Sequence, residues 1–248
     1  MTMKPILLGA CIALFPSLAT AEGGWTGQVT AYVWATGLGG DITPRAGGPT
    51  LSFSEAFSDI LEDLDGAFFL SAYARRDRFV LMGDISASTS SRDGVIPPGV
   101  PVVGGLPAEG RLRQRSMTLA AGYRVVANDG MTLDALAGMR AWRVESRISV
   151  AGGIVQASPR ESFVDPIVAL RANFALAPRW SAIIYADLGG FGAGSERTSQ
   201  VFATANYQVN DKLYLSAGYR RLDVDYRSGG TRVDVTMAGP IIGATLRF

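Results

Sequence analysis

The chain has 248 residues, 23 basic and 22 acidic, with no histidine and one cysteine. Without histidine there is no Ser-His-Asp triad, no His-assisted protease and no His-ligated metal. With Cys11 as the sole thiol there is no disulfide pair or thiolate metal cluster, and the near-neutral balance leaves no electrostatic footprint for nucleic acid.

The N-terminus carries Lys4, an apolar run from Pro5 to Phe15 and the small-residue site Ala19-Thr20-Ala21. This reads as a secretory signal peptide over residues 1–21, cut after Ala21, because the run is too short for a membrane anchor. The mature domain, 22–248, then has 22 basic and 22 acidic residues, and its only lysine is Lys212. It is glycine-rich and has no long uncharged helical segment, which leaves a soluble β-protein or a transmembrane barrel.

Trp25 to Trp34 alternates apolar or small residues with polar or aromatic ones, as a strand does. Gly37 to Pro49 is rich in glycine and proline and reads as loop, although 39–54 has room for a hidden hairpin. Ser52 and Glu55 fit a capping box, and Phe53, Phe57, Ile60, Leu61 and Leu64 recur at helical spacing. The expectation is therefore one short helix ending at Leu64 in the first inserted segment, with Glu55, Asp59, Glu62 and Asp63 on its polar face.

Strands then come in pairs: 66–75 with 79–88, 113–126 with 131–144, 163–176 with 180–190, and 199–209 with 213–226. Each pair is joined by a tight turn, and the connections between pairs, 90–112, 146–162, 191–198 and 227–231, are longer. The last stretch alternates Ala238, Pro240, Ile242, Ala244, Leu246 and Phe248 with smaller or polar residues. Its terminal aromatic is similar to the C-terminal strand of bacterial outer-membrane barrels, so Phe248 and Leu246 are candidates for the signal read by a barrel assembly machinery. Short turns at one rim and long loops at the other predict an all-β, antiparallel, up-and-down transmembrane barrel of about ten strands, with eight or twelve as alternatives. Trp25, Tyr123, Phe174, Trp180, Tyr207 and Phe248 fall near the short-turn ends, as in an aromatic girdle. A soluble sandwich would alternate too, but would require neither girdle nor polar inner face.

In the phase opposite to the apolar residues lie Asp84, Arg124, Asp134, Arg140, Asp165, Arg171, Asp187, Arg220 and Arg247. An arginine in mid-bilayer costs roughly 2–4 kcal/mol, so these charges are expected to line the lumen. They either fill it as Asp–Arg pairs or form a solute-selecting lining, and the acidic helix either folds inward against Arg171 or Arg220 or caps an opening. Arg111, Arg113 and Arg115 share the outward phase, where they either hold lipopolysaccharide phosphates or sit in a loop or bulge turned to solvent. The glycine run 189–194 lacks the helix and Lys-Ser/Thr of a phosphate loop, and 63–66 lacks the later glutamate of a calcium loop, so no cofactor is expected.

Several stretches together resemble a widespread, mostly uncharacterised family of proteobacterial outer-membrane β-barrel proteins: Phe53 to Leu61 with Leu64-Asp65, Gly83-Asp84, Val164 to Val168, Asp187 to Ser195, and Gly218 to Leu222. The resemblance implies a barrel in the outer membrane of a Gram-negative bacterium and carries no catalytic residues. The expected function is a narrow, porin-like passive channel. The alternatives are a structural or surface-exposed barrel closed by Asp–Arg pairs and, more remotely, an outer-membrane enzyme. Expected partners are outer-membrane lipid, lipopolysaccharide and the assembly machinery. Oligomeric state is left open.

Overall fold

The computed structural model describes residues 24–43, 51–55, 64–95, 105–150, 155–157 and 160–248. The signal peptide, and Asp59, Glu62 and Asp63 of the expected helix, lie outside the described residues.

Among the described residues the strands are β1 (Trp25–Trp34), β2 (Gly37–Thr43), β3 (Leu51–Glu55), β4 (Leu64–Arg76), β5 (Phe79–Val95), β6 (Pro107–Ala127), β7 (Met131–Val150), β8 (Val155–Ala157), β9 (Arg160–Ala177), β10 (Trp180–Gly190), β11 (Arg197–Gln208), β12 (Leu213–Ser228) and β13 (Thr231–Arg247). Ten of them, β1-β4-β5-β6-β7-β9-β10-β11-β12-β13, form one antiparallel path, and β13 returns to β1 to close it. The barrel therefore has the ten strands expected of it.

The short turns are chemically determined. Asn128 Oδ1 accepts the N–H groups of Gly130 and Met131 at 3.0 and 2.8 Å, and Asn210 Oδ1 accepts those of Lys212 and Leu213 at 3.0 and 2.8 Å. These Asx turns reverse the chain where the alternation stops. At the seam, Gly27 and Phe248 exchange backbone hydrogen bonds of 2.8 and 2.9 Å. The Phe248 ring lies over Gly27, where a Cβ would come within 2.5 Å of it, so glycine leaves room for the last ring to seat against the first strand without shifting.

The side chains divide as the alternation requires. Leu81, Ile85, Met117, Leu119, Val168, Leu170, Ile184, Leu188, Val201, Leu215, Tyr219 and Ile242 are exposed on the outer wall. Near the short turns the outward aromatics touch one another: Trp25 meets Phe79 at 6.2 Å, Phe79 meets Tyr123 at 5.8 Å, and Trp180 meets Tyr207 at 5.0 Å between ring centroids.

Three expectations are corrected. The glycine-rich stretch after Trp34 contains β2, which pairs with the upper half of β13 from Ala238↔Gly37 to Arg232↔Thr43. β13 outruns β1, and β2 satisfies the backbone groups that β1 leaves open; at Gly40 a Cβ would lie 2.0 Å from the Asp234 carbonyl oxygen, so the close approach selects glycine. Residues 51–55 are strand β3, paired with β2 from Ile42↔Leu51 to Leu38↔Glu55, and do not begin a helix. The capping-box signal at Ser52 and Glu55 is local and weak, and a non-local ladder overrides it. This β2–β3 pair is the hidden hairpin, and it stands outside the closed path. The long connections are also shorter than expected, because β5 and β6 stay paired up to Val95↔Pro107 and β6 and β7 up to Ala108↔Val150.

Candidate functional site in the lumen

Inward side chains form successive layers rising from the short-turn end. In the lowest, fully buried Asp134 of β7 receives Arg124 Nε of β6 at 2.8 Å and the Tyr73 hydroxyl of β4 at 2.8 Å. Arg171 of β9 stands 3.6 Å from the same carboxylate, with its guanidinium 4.4 Å over the Tyr73 ring. One carboxylate thus gathers three strands besides its own.

The next layer joins opposite walls. Tyr32 of β1 donates to Asp84 of β5 at 2.8 Å, and Arg220 of β12 donates to the Tyr32 hydroxyl at 2.7 Å while standing 3.5 Å from Asp84. Arg220 also donates twice to Gln200 Oε1, at 3.0 and 2.5 Å, and lies 4.5 Å over the Trp34 ring. Beside it Arg140 grips Asp187 with two bonds of 3.1 and 2.5 Å and donates to Thr118 Oγ1 at 3.1 Å and Thr198 Oγ1 at 3.4 Å. The Arg140 and Asp187 side chains are 1% and 0% exposed. Between these layers is a cavity of ≈ 110 Å³, lined by Tyr32, Tyr73, Asp84, Arg171, Arg220 and Asn206 among others. At roughly 10–15 Å³ per water, that is room for a handful of waters.

Asp165 differs from the other lumen charges. Its register partner is Arg140, yet its Oδ1 accepts the Ser195 backbone N–H at 2.7 Å. It thereby holds down the turn after β10, where Gly190 and Gly192 take positive φ angles of 88° and 74° and Ser195 is fully buried.

Above the charges lies an apolar cap: Trp34, Trp142, Leu222, Val224, Tyr226 and Met237, with Phe163 packed against them. Trp142 stacks on Phe163 at 6.2 Å and Phe163 on Tyr226 at 4.5 Å, and the Tyr226 hydroxyl donates to Glu161 at 3.0 Å. Gln114 of β6 reaches Met237 Sδ of β13 at 3.3 Å, so side chains from opposite walls meet. The charge count overlooked this cap, but its signal was present: Trp142 shares parity with Arg140, Phe163 with Asp165, and Leu222, Val224 and Tyr226 with Arg220.

Of the expected constriction helix, Glu55 belongs to β3. Arg171 and Arg220, the arginines it was to meet, have wall partners in Asp134 and Asp84.

On the outer wall Arg111, Arg113 and Arg115 lie on the continuous strand β6, exposed, and neither in a loop nor at a bulge. Beside them Glu145 accepts Arg143 Nε at 2.8 Å and stands 3.4 Å from Arg160. The Arg143 hydrogen bond, with nearby Arg160, holds the Glu145 carboxyl below the usual carboxylate range.

No protein-family model matches the chain, and no curated protein does. Solved structures do. The outer membrane protease OmpT from Escherichia coli is similar over 92% of this chain and 98% of its own, at 10% identity and a TM-score of 0.53. The translocator domain of the autotransporter NalP from Neisseria meningitidis matches over 93% and 91%, at 14% identity and TM-score 0.48. Ail, the attachment invasion locus protein of Yersinia pestis, matches over 91% and 99%, at 12% identity and TM-score 0.37. At 10% identity the likeness to OmpT concerns fold alone: this chain has the β-barrel fold of that outer-membrane protein.

Proposed function

We propose that the chain is an outer-membrane barrel of a Gram-negative bacterium with a closed lumen, a structural and surface-presenting protein that conducts nothing and carries out no catalysis. The observation that carries this reading is the Arg140–Asp187 pair, bidentate and shielded from solvent, with the aromatic cap above it. A water-filled pore keeps its lining charges hydrated, whereas a small barrel is filled by its own side chains. The outer wall supports the location: a continuous apolar belt has no place in water but matches the hydrocarbon of a bilayer, and the ring of outward aromatics suits its border. Phe248 and Leu246 complete the seam with β1, in keeping with a terminal strand read by the assembly machinery.

The test is single-channel conductance of the refolded mature protein in a planar bilayer. Silence from a heat-modifiable, folded barrel is the expected result. Steady conductance would establish instead the narrow channel that the charged lining first suggested.

A further inference from the structure

The outer wall is unevenly charged above its apolar belt. On β6, Arg111, Arg113 and Arg115 point outward at alternate positions, in register with Arg147, Glu145 and Arg143 of β7. Below them on the same face come exposed Met117 and Leu119. Eight and ten residues separate Arg115 and Arg113 from Tyr123 of the girdle. At a rise of ~3.4 Å per residue and a tilt of ~40° they stand about 21 and about 26 Å above it, astride the upper border of a band about 25 Å tall.

Two features make this sector more than a solvated rim. A groove of ≈ 520 Å³ runs along it, floored by Phe68, Ala87 and Thr89 and walled by the three β6 arginines. Bases also outnumber acids here: Glu145 pairs with Arg143 and Arg160 and lies in the field of Arg115, exposed Asp93 and Glu109 stand higher on the same face, and neither Arg113 nor Arg115 makes an ion pair among the described residues. Farther round the barrel, Arg221 and Arg227 each have their own carboxylate, Asp223 at 2.7 Å and Asp225 at 3.2 Å. Excess guanidinium at the polar border, over an apolar floor that continues down the wall, complements an anionic headgroup carrying several acyl chains. Guanidinium grips phosphate with two parallel bonds.

We propose that the outer face of β4–β6 binds the phosphorylated lipid A headgroup of lipopolysaccharide, with Arg113 and Arg115 on phosphate and an acyl chain along Phe68 and Met117. The site lies outside the lumen, so it stands whether or not the barrel conducts.

The experiment titrates the folded, detergent-solubilised protein with bisphosphorylated, monophosphorylated and dephosphorylated lipid A, and separately with inorganic pyrophosphate, and reads complexes by native mass spectrometry. Affinity is expected to fall about tenfold or more with each phosphate removed, and pyrophosphate alone to bind far more weakly than the lipid. In Arg113→Gln/Arg115→Gln, lipid A binding is expected to weaken at least tenfold, whereas Arg221→Gln/Arg227→Gln binds as wild type. Equal binding of dephosphorylated lipid A, pyrophosphate binding as tightly as the lipid, or an unaffected β6 variant would overturn the proposal. The phosphate series uses wild-type protein, so it decides even if the β6 variant fails to fold.

Discussion

Replacing Arg140 by methionine asks directly whether the lumen is dry. The substitution keeps the aliphatic stem and removes the guanidinium, leaving Asp187 without its bidentate partner and the hydroxyls of Thr118 and Thr198 without a donor. In a closed interior, stranding one half of a buried ion pair costs ~3–5 kcal/mol, of the same order as the ~4 kcal/mol that two unit charges 4 Å apart gain at an effective dielectric of 20. In a hydrated pore the same pair is worth about 0–1 kcal/mol, because water solvates the abandoned carboxylate. At 1.4 kcal/mol per decade the two cases differ by roughly two orders of magnitude in the unfolding constant. The assay is urea unfolding of the barrel in phospholipid vesicles, followed by tryptophan fluorescence. The double variant Arg140→Met/Asp187→Leu removes both charges and should recover most of the loss, because an apolar pair of similar bulk replaces a buried ion pair at little cost. If Arg140→Met costs less than about 1 kcal/mol, the sealed-lumen argument fails whatever the conductance.

Trp142→Ala is expected to destabilise the barrel by ~3–5 kcal/mol, as for a large core aromatic, and to leave it non-conducting because the Arg140 layer remains below; the same urea and bilayer measurements check both. Neutralising Glu55, Asp59, Glu62 and Asp63 together should change neither stability beyond ~0.5 kcal/mol nor the absence of conductance; new ion flow in that variant would place these acids in the permeation path. Deleting Phe248 removes the seam's last backbone pair and the ring over Gly27, and should cut the yield of heat-modifiable protein in cell outer membranes; an unchanged yield would separate this residue from assembly.

The barrel was legible because its strands obey one strict rule, a period of two with charge on one parity and grease on the other. Strand starts at Phe79, Met131, Trp180 and Leu213 were readable because tight turns mark them, with Asn128 and Asn210 supplying local chemistry. The upper ends were not, since Ser91↔Arg111 and its neighbours pair above the apolar belt, where alternation no longer reports burial. β2 and β3 were legible only as room for a hairpin in 39–54, for another reason. Gly37–Thr43 owes its form to the far end of the chain, through β13, and Leu51–Glu55 to its pairing with β2, and local propensity does not report those ladders. At the site, parity showed which charges face inward but not who meets whom: Arg140 passes over its register neighbour Asp165 to take Asp187, two strands away.

That last choice bears on how a barrel counts its own strands. Tyr32, Asp84 and Arg220 come from β1, β5 and β12, so their cluster exists only after β13 has met β1 and the circle is complete. A ring one hairpin larger would pull Arg220 away from Asp84, and a pairing slipped by one residue would turn Arg220 out into hydrocarbon. The paired lumen charges therefore act as a checksum: correct circumference and correct stagger bring Arg220 to Asp84, Arg140 to Asp187 and Arg124 to Asp134 together, and an error in either leaves ions stranded. Stability taken from such pairs arrives late and all at once, which makes the closed ten-strand ring distinct from every near miss.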